Sequence, residues 1–158
     1  MGSGGSEGSS LIGFLREKNA GGPLKCIQCG SCTSACIVNS VDADFNPRRI
    51  VGSIACFNRL PSQNLWLCST CSLCVDRCPQ AVNPLSIIIA SRTLLYRNGN
   101  RVPEKILEMV ESVKKTGLAF SLDDAARDRR RLLGLPETKI GDEELNKIRK
   151  ILSEAGFK

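Results

Sequence analysis

The chain has 158 residues, 42% of them apolar and only 4% aromatic, with nine cysteines, no histidine and a formal charge of +6. That length suits one compact domain with room for a helical appendage. The lack of histidine excludes Rieske-type ligation, histidine acid–base catalysis and most catalytic zinc sites, and no stretch approaches the roughly 18 apolar residues of a membrane span.

Residues 1–10 (MGSGGSEGSS) read as a flexible Gly/Ser tail, and the N-terminus shows no apolar signal region. Leu11 to Asn19 reads as a short helix, with Ser10 as cap and Gly21-Gly22 as stop. Its face of Leu11, Ile12, Phe14 and Leu15 suits packing on this domain better than docking on a partner. A first cysteine run follows: Cys26, Cys29, Cys32 and Cys36, with Gly30, Ser31, Thr33 and Ser34 filling its gaps. Small residues there let backbone N–H groups approach a bound cofactor.

Asn46-Pro47 reads as a helix start, with Asn as cap and Pro at the first helical position. Ile50, Val51, Ile54, Ala55 and Phe57 supply its apolar face, and Pro61 is the expected stop. Cys56 lies in this helix, outside either cysteine run, and reads as a small packed hydrophobe. Trp66 precedes a second run, Cys68, Cys71, Cys74 and Cys78, which ends on Pro79. As a lone aromatic it reads equally well as a shield for a cofactor or as core.

Asn83-Pro84 repeats the helix start, and Leu85, Ile88, Ile89, Leu94 and Leu95 follow at mostly helical spacing up to Gly99. The core is therefore an imperfect duplication: cysteine run, Asn-Pro, helix. The gap from last cysteine to Asn-Pro is nine residues in one copy and four in the other. Three more helices are expected: Pro103 to Lys115, Leu122 to Leu133 with Ser121 as cap, and Asp142 to Ala155 with Gly156 as stop. The run Arg127-Asp128-Arg129-Arg130-Arg131 is more often a solvated helix face than a dock for an acidic partner. No segment alternates as a strand does. The predicted fold is mainly α, with a tail over 1–10, a cysteine-bearing domain over 11–98, and C-terminal helices over 99–158 packed on that domain or on a partner.

Each run reads C-x₂-C-x₂-C-x₃-C, the bacterial ferredoxin pattern for a 4Fe–4S cubane. A cubane has four iron corners, each needing one thiolate. Cysteines two residues apart let one short loop wrap three corners, and in two-cluster ferredoxins the fourth ligates the other cluster. The expected sets are Cys26, Cys29, Cys32 and Cys78 for cluster one, and Cys68, Cys71, Cys74 and Cys36 for cluster two. Paired C-x₂-C motifs also build zinc ribbons, but a zinc site closes with four ligands and does not call for two evenly spaced quartets. A radical-SAM run is excluded, because Asn39 and Ala81 stand where its third cysteine would fall.

Eight committed cysteines without an export signal point to a reducing cytoplasm rather than a disulfide framework. Two oxidised cubanes, each about −2 with its thiolates, would bring the holo charge to about +2. The basic balance therefore compensates cluster charge, and no basic–aromatic pattern supports nucleic-acid binding. With so few aromatics, the clusters serve as part of the core, and the apo chain should fold poorly.

The stretches KCIQCGSCTSAC, DFNPRRIV and LWLCSTCSLCVDRCPQAVNP resemble the C subunit of heterodisulfide reductase over about residues 24–98. One departure is Ile37, where the family pattern has proline after the first run. The resemblance implies an α-helical ferredoxin-like domain with two 4Fe–4S clusters. It implies a wire between two other components of such a complex. One is a flavin and iron–sulfur subunit; the other is a catalytic subunit with CCG motifs, which reduces the coenzyme M–coenzyme B heterodisulfide in methanogens. This chain has no Cys-Cys pair and no G-x-G-x-x-G, so it carries neither that catalytic motif nor a Rossmann nucleotide site. The alternative is an iron–sulfur subunit of a sulfur-oxidising relative of that complex, or of a quinone-linked succinate or glycerol-3-phosphate dehydrogenase, since these share the double run.

Overall fold

The computed structural model describes residues 11–61, 64–120 and 122–156; the tail over 1–10 and the expected caps Ser10 and Ser121 lie outside them. The described residues contain helices and 3-10 turns but no strand, so the fold is mainly α as the sequence implies. The helices are α1 (Leu11–Glu17), α2 (Ser31–Ser34), α3 (Pro47–Phe57), α4 (Leu73–Asp76), α5 (Pro84–Arg97), α6 (Glu104–Thr116), α7 (Asp124–Leu132) and α8 (Asp142–Glu154). Two 3-10 turns, Pro23–Lys25 and Leu65–Leu67, lead into the two cysteine runs. The chain divides into two compact units between Gly99 and Asn100.

The first unit is built twice over. Each copy runs 3-10 turn, cysteine loop, one-turn helix, Asn-Pro, long helix. Both long helices start on an asparagine cap: Arg49 N–H donates to Asn46 Oδ1 at 3.1 Å, and Ser86 N–H donates to Asn83 Oδ1 at 2.8 Å. Proline at the next position costs nothing there, because the first-turn N–H has no helical partner.

The apolar faces of the two copies interlock. Four residues past its Asn, α3 places Ile50 in a core with Phe45, Leu65 and Ile88; five past, it places Val51 in a second core with Ile54, Val82 and Ile87. In α5 the assignments swap: Ile87, at plus four, joins the core of Val51, and Ile88, at plus five, joins the core of Ile50. That exchange is a pseudo-twofold relation between the copies.

Helix α1 packs into the Val51 core through Leu11, Phe14 and Leu15, and Ile12 N–H donates to Asn58 Oδ1. Gly21 then lets the chain lie directly on the start of α5. Its φ is +71°, Asn83 N–H donates to its carbonyl at 3.0 Å, and a Cβ there would strike the Asn83 carbonyl and Ile87.

Several details differ from the sequence reading. Helix α3 stops at Asn58, in the left-handed conformation, rather than at Pro61. Phe57 is 70% exposed rather than on the packed face. Cys56 is exposed, not packed. In α5 the buried positions include Ile87, Ile88, Ala90 and Ser91, whereas Ile89 faces out.

In the second unit, α6 and α8 pack together, and Arg149 Nε donates to the Lys114 carbonyl. Asp123 caps α7 by accepting from Ala126 N–H. No described residue of α6, α7 or α8 is buried. The arginine run lies on α7, where Arg127 and Arg131 pair with Asp124 and Asp128 at i,i+3.

Candidate metal centre

Two cavities lie in the first unit, each ringed by four cysteines. The first is lined by Cys26, Cys29, Cys32 and Cys78, the second by Cys36, Cys68, Cys71 and Cys74. Each therefore gathers three side chains from one run and the last cysteine of the other. The pseudo-twofold extends to the walls: Val51 and Pro84 line the first cavity, Ile88 and Pro47 the second.

The loops owe their curl to left-handed residues at matching places. Gln28 and Thr70, both two past the first cysteine of a run, have φ of 57°. Gly30 and Ser72, two residues further on, have φ of 89° and 67°. These turns aim successive thiols inward. Cys29 and Cys71 are exposed and the other six are half-buried, so each cradle opens to solvent at its second cysteine.

Donors converge on the sulfurs. Cys26 Sγ accepts from Gln28 N–H at 3.4 Å and from Gln28 Nε2 at 3.2 Å. Asn39 N–H donates to Cys36 Sγ at 3.5 Å, and Val82 N–H donates to Cys78 Sγ at 3.3 Å. The Ser31 hydroxyl lies 3.4 Å from Cys29 Sγ. Gly52 makes room for the Gln28 amide, since a Cβ there would sit about 3.0 Å from Nε2.

The second cradle has a cation behind it. Arg92 on α5 donates from Nε and Nη2 to the Leu65 carbonyl at 3.0 and 2.7 Å, and from Nη2 to the Cys68 carbonyl at 2.8 Å. Its guanidinium lies 5.2 Å from the Trp66 ring centroid. Trp66 is thus a platform for Arg92. Burial draws the proton affinity of Arg92 down, opposed by charge on Cys68. Neither Gln28 nor Arg92 stands out in the sequence, because each acts through a fold contact that no motif encodes.

The thiols resist ionising together. The Cys74 thiol is pushed up to about 11, first by burial and then by negative charge on Cys68, Cys32, Cys71 and Cys36. The Cys32 thiol is also raised, chiefly by burial, whereas hydrogen bonds from Ser31 lower that of Cys29. A donor set this crowded fits a multivalent cationic core that neutralises the thiolates. Among the described residues no group of three or more Cys, Asp or Glu side chains is drawn together tightly enough for a single ion. Four cysteines instead line each of the two cavities.

The fold and the paired four-thiol cradles define a two-cluster α-helical ferredoxin. A family model for the 4Fe-4S dicluster domain matches residues 23–82. The chain is 36% identical, over 85% of its length and 86% of the relative's, to the C subunit of the ferredoxin/F(420)H(2)-dependent CoB-CoM heterodisulfide reductase of Methanosarcina acetivorans. It is 31% identical to the C subunit of the H(2):CoB-CoM heterodisulfide,ferredoxin reductase of Methanothermobacter marburgensis, over 84% of this chain and 74% of that one. A protein of Archaeoglobus profundus described as like the heterodisulfide reductase C subunit is 27% identical, over 89% of this chain and 77% of the relative. The chain belongs to the heterodisulfide reductase C subunit family, whose members are iron–sulfur electron-transfer subunits of oxidoreductases, and it holds two 4Fe–4S clusters. No helix among the described residues is long and apolar enough to cross a membrane.

Proposed function

We propose that this chain relays electrons within a cytoplasmic heterodisulfide-reductase-type complex. It stands between a flavin and iron–sulfur subunit and a CCG-type catalytic subunit that reduces a coenzyme M–coenzyme B type disulfide. Cys26, Cys29, Cys32 and Cys78 hold one cubane; Cys68, Cys71, Cys74 and Cys36 hold the other. Each cubane, when bound, takes up and gives back one electron. The chain's own residues fix the thiols, donate hydrogen bonds to them and exclude water from one side. No substrate is turned over on this chain.

The observation that carries the reading is the pair of four-cysteine cradles in one unit, each open at one exposed cysteine. Two open sites so joined suit entry of an electron at one and exit at the other. The names of the relatives support the complex. The test is anaerobic purification of the native assembly, with every co-purifying chain and cofactor identified. A flavoprotein and a CCG-containing subunit are the expected companions. A membrane anchor with a substrate-oxidising dehydrogenase would contradict the reading and place the chain in a quinone-linked enzyme.

A further inference from the structure

The two cradles share a backbone plan, so a charged group that serves one and lacks a counterpart in the other breaks their equivalence. Arg92 is such a group. It lies nine residues past Asn83, and the residue nine past Asn46 is Ala55, which has no donor and no charge. Arg92 is half-buried, and its fork grips the two carbonyls that bracket the entry into the second run. The Cys68 carbonyl is one of them, so the guanidinium stands beside the residue whose thiolate lines the second cavity. The ring of Trp66 holds the planar cation from another side.

The first cradle also has an arginine on its wall, Arg48, but that side chain is exposed, and water screens an exposed charge. Its counterpart at the second cavity is Leu85. Among the described residues, the fixed, partly desolvated cation therefore belongs to the second cradle alone. A positive charge favours the more negative, reduced form of a nearby cluster, and a low local dielectric strengthens the effect.

We propose that Arg92 is a positioning and tuning residue that raises the reduction potential of the cluster in the Cys36, Cys68, Cys71 and Cys74 cradle. It thereby sets which of the two clusters an electron favours. The inference rests on the two-cradle ligand reading above.

The test is an anaerobic redox titration of the holo chain, followed by electron paramagnetic resonance, in wild type, Arg92→Gln and Arg92→Lys. Cys71→Ser identifies the second cluster's signal. In Arg92→Gln the reduced-to-oxidised ratio of the second cluster at a fixed potential should fall at least tenfold. That is a lowering of about 59 mV for one electron, with the first cluster unmoved. Arg92→Lys keeps the charge and loses the fork, so it should retain most of the wild-type potential. Equal shifts in both clusters, equal shifts in Gln and Lys variants, or no shift would each overturn the role of Arg92. If Arg92→Gln loses the second cluster, Arg92→Lys decides: a tenfold fall in its ratio overturns the proposal. Iron content separates the two claims. About four irons per wild-type chain would contradict the two-cradle reading and remove this inference with it. About eight irons with unmoved potentials would overturn the inference alone.

Discussion

The first cradle holds a cysteine sulfur with a neutral side-chain amide, and the second has a half-buried cation on its backbone. At the first, the Gln28 side-chain amide reaches Cys26 Sγ across a gap that Gly52 leaves open. At the second, Arg92 reaches the backbone of Cys68 instead, above Trp66. Both surroundings sit on one repeated frame of turn, loop, short helix and Asn-capped helix. The two copies share one backbone plan, and Gln28 in a cysteine loop and Arg92 on α5 make the surroundings of the two cradles unequal. An electron relay gains from that inequality, because two identical centres give an electron no preferred resting place.

The largest break in the comparison should come from a cysteine that serves the opposite cradle. Cys78→Ala should disturb the first cluster, although Cys78 lies in the second run, and should lower anaerobic iron content from about eight toward four per chain. Cys36→Ala should do the mirror image to the second cluster. Spectra in which each variant disturbs its own run's cluster would contradict the pairing.

A smaller change should sharpen the contrast between the two sets of donors. Gln28→Asn keeps a residue that tolerates the left-handed backbone but withdraws the amide from Cys26. Losing a bond to a charged sulfur, worth about 1.5 kcal/mol, should lower the first cluster's potential and leave the second's in place. Redox titration checks both.

The helix caps offer a comparison of stability. Asn46 Oδ1 accepts from Arg49 N–H and also from the Thr33 hydroxyl at 2.8 Å, and Thr33 Oγ1 in turn accepts from Arg48 N–H. For Asn83, the cap bond is the one from Ser86 N–H. Asn83→Ala should cost about 1 kcal/mol. Asn46→Ala should cost more, about 2 kcal/mol, because it also unties α2 from α3. Anaerobic thermal unfolding of the two holo variants should rank them in that order. Smallest of all, Cys56→Ser should leave iron content unchanged, since Cys56 is exposed and lines neither cradle.

What the sequence made legible was whatever is written locally. Cysteine spacing and the two Asn-Pro starts are short-range signals, and the structure has both helix starts where those dipeptides stand. The apolar face of α1 likewise foretold its packing on the domain. Less legible were features that depend on the opposite copy. Ile87 is buried and Ile89 is not, because α5 presents two adjacent positions to two different cores. Helix α3 ends at Asn58 because its left-handed backbone closes the last turn, with Asn58 N–H donating to the Ile54 carbonyl and Arg59 N–H to the Ser53 carbonyl, before Pro61 is reached. Arg92 reads in sequence as one more basic residue on a helix. Only the fold brings it to carbonyls that lie 27 and 24 residues earlier in the chain.

The crossed pairing of cysteines is most directly tested by anomalous diffraction at the iron edge from an anaerobically grown crystal of the holo chain. The account predicts two four-iron centres. One should be bonded to Cys26, Cys29, Cys32 and Cys78, and the other to Cys68, Cys71, Cys74 and Cys36. Iron centres each held by the four cysteines of a single run would contradict it.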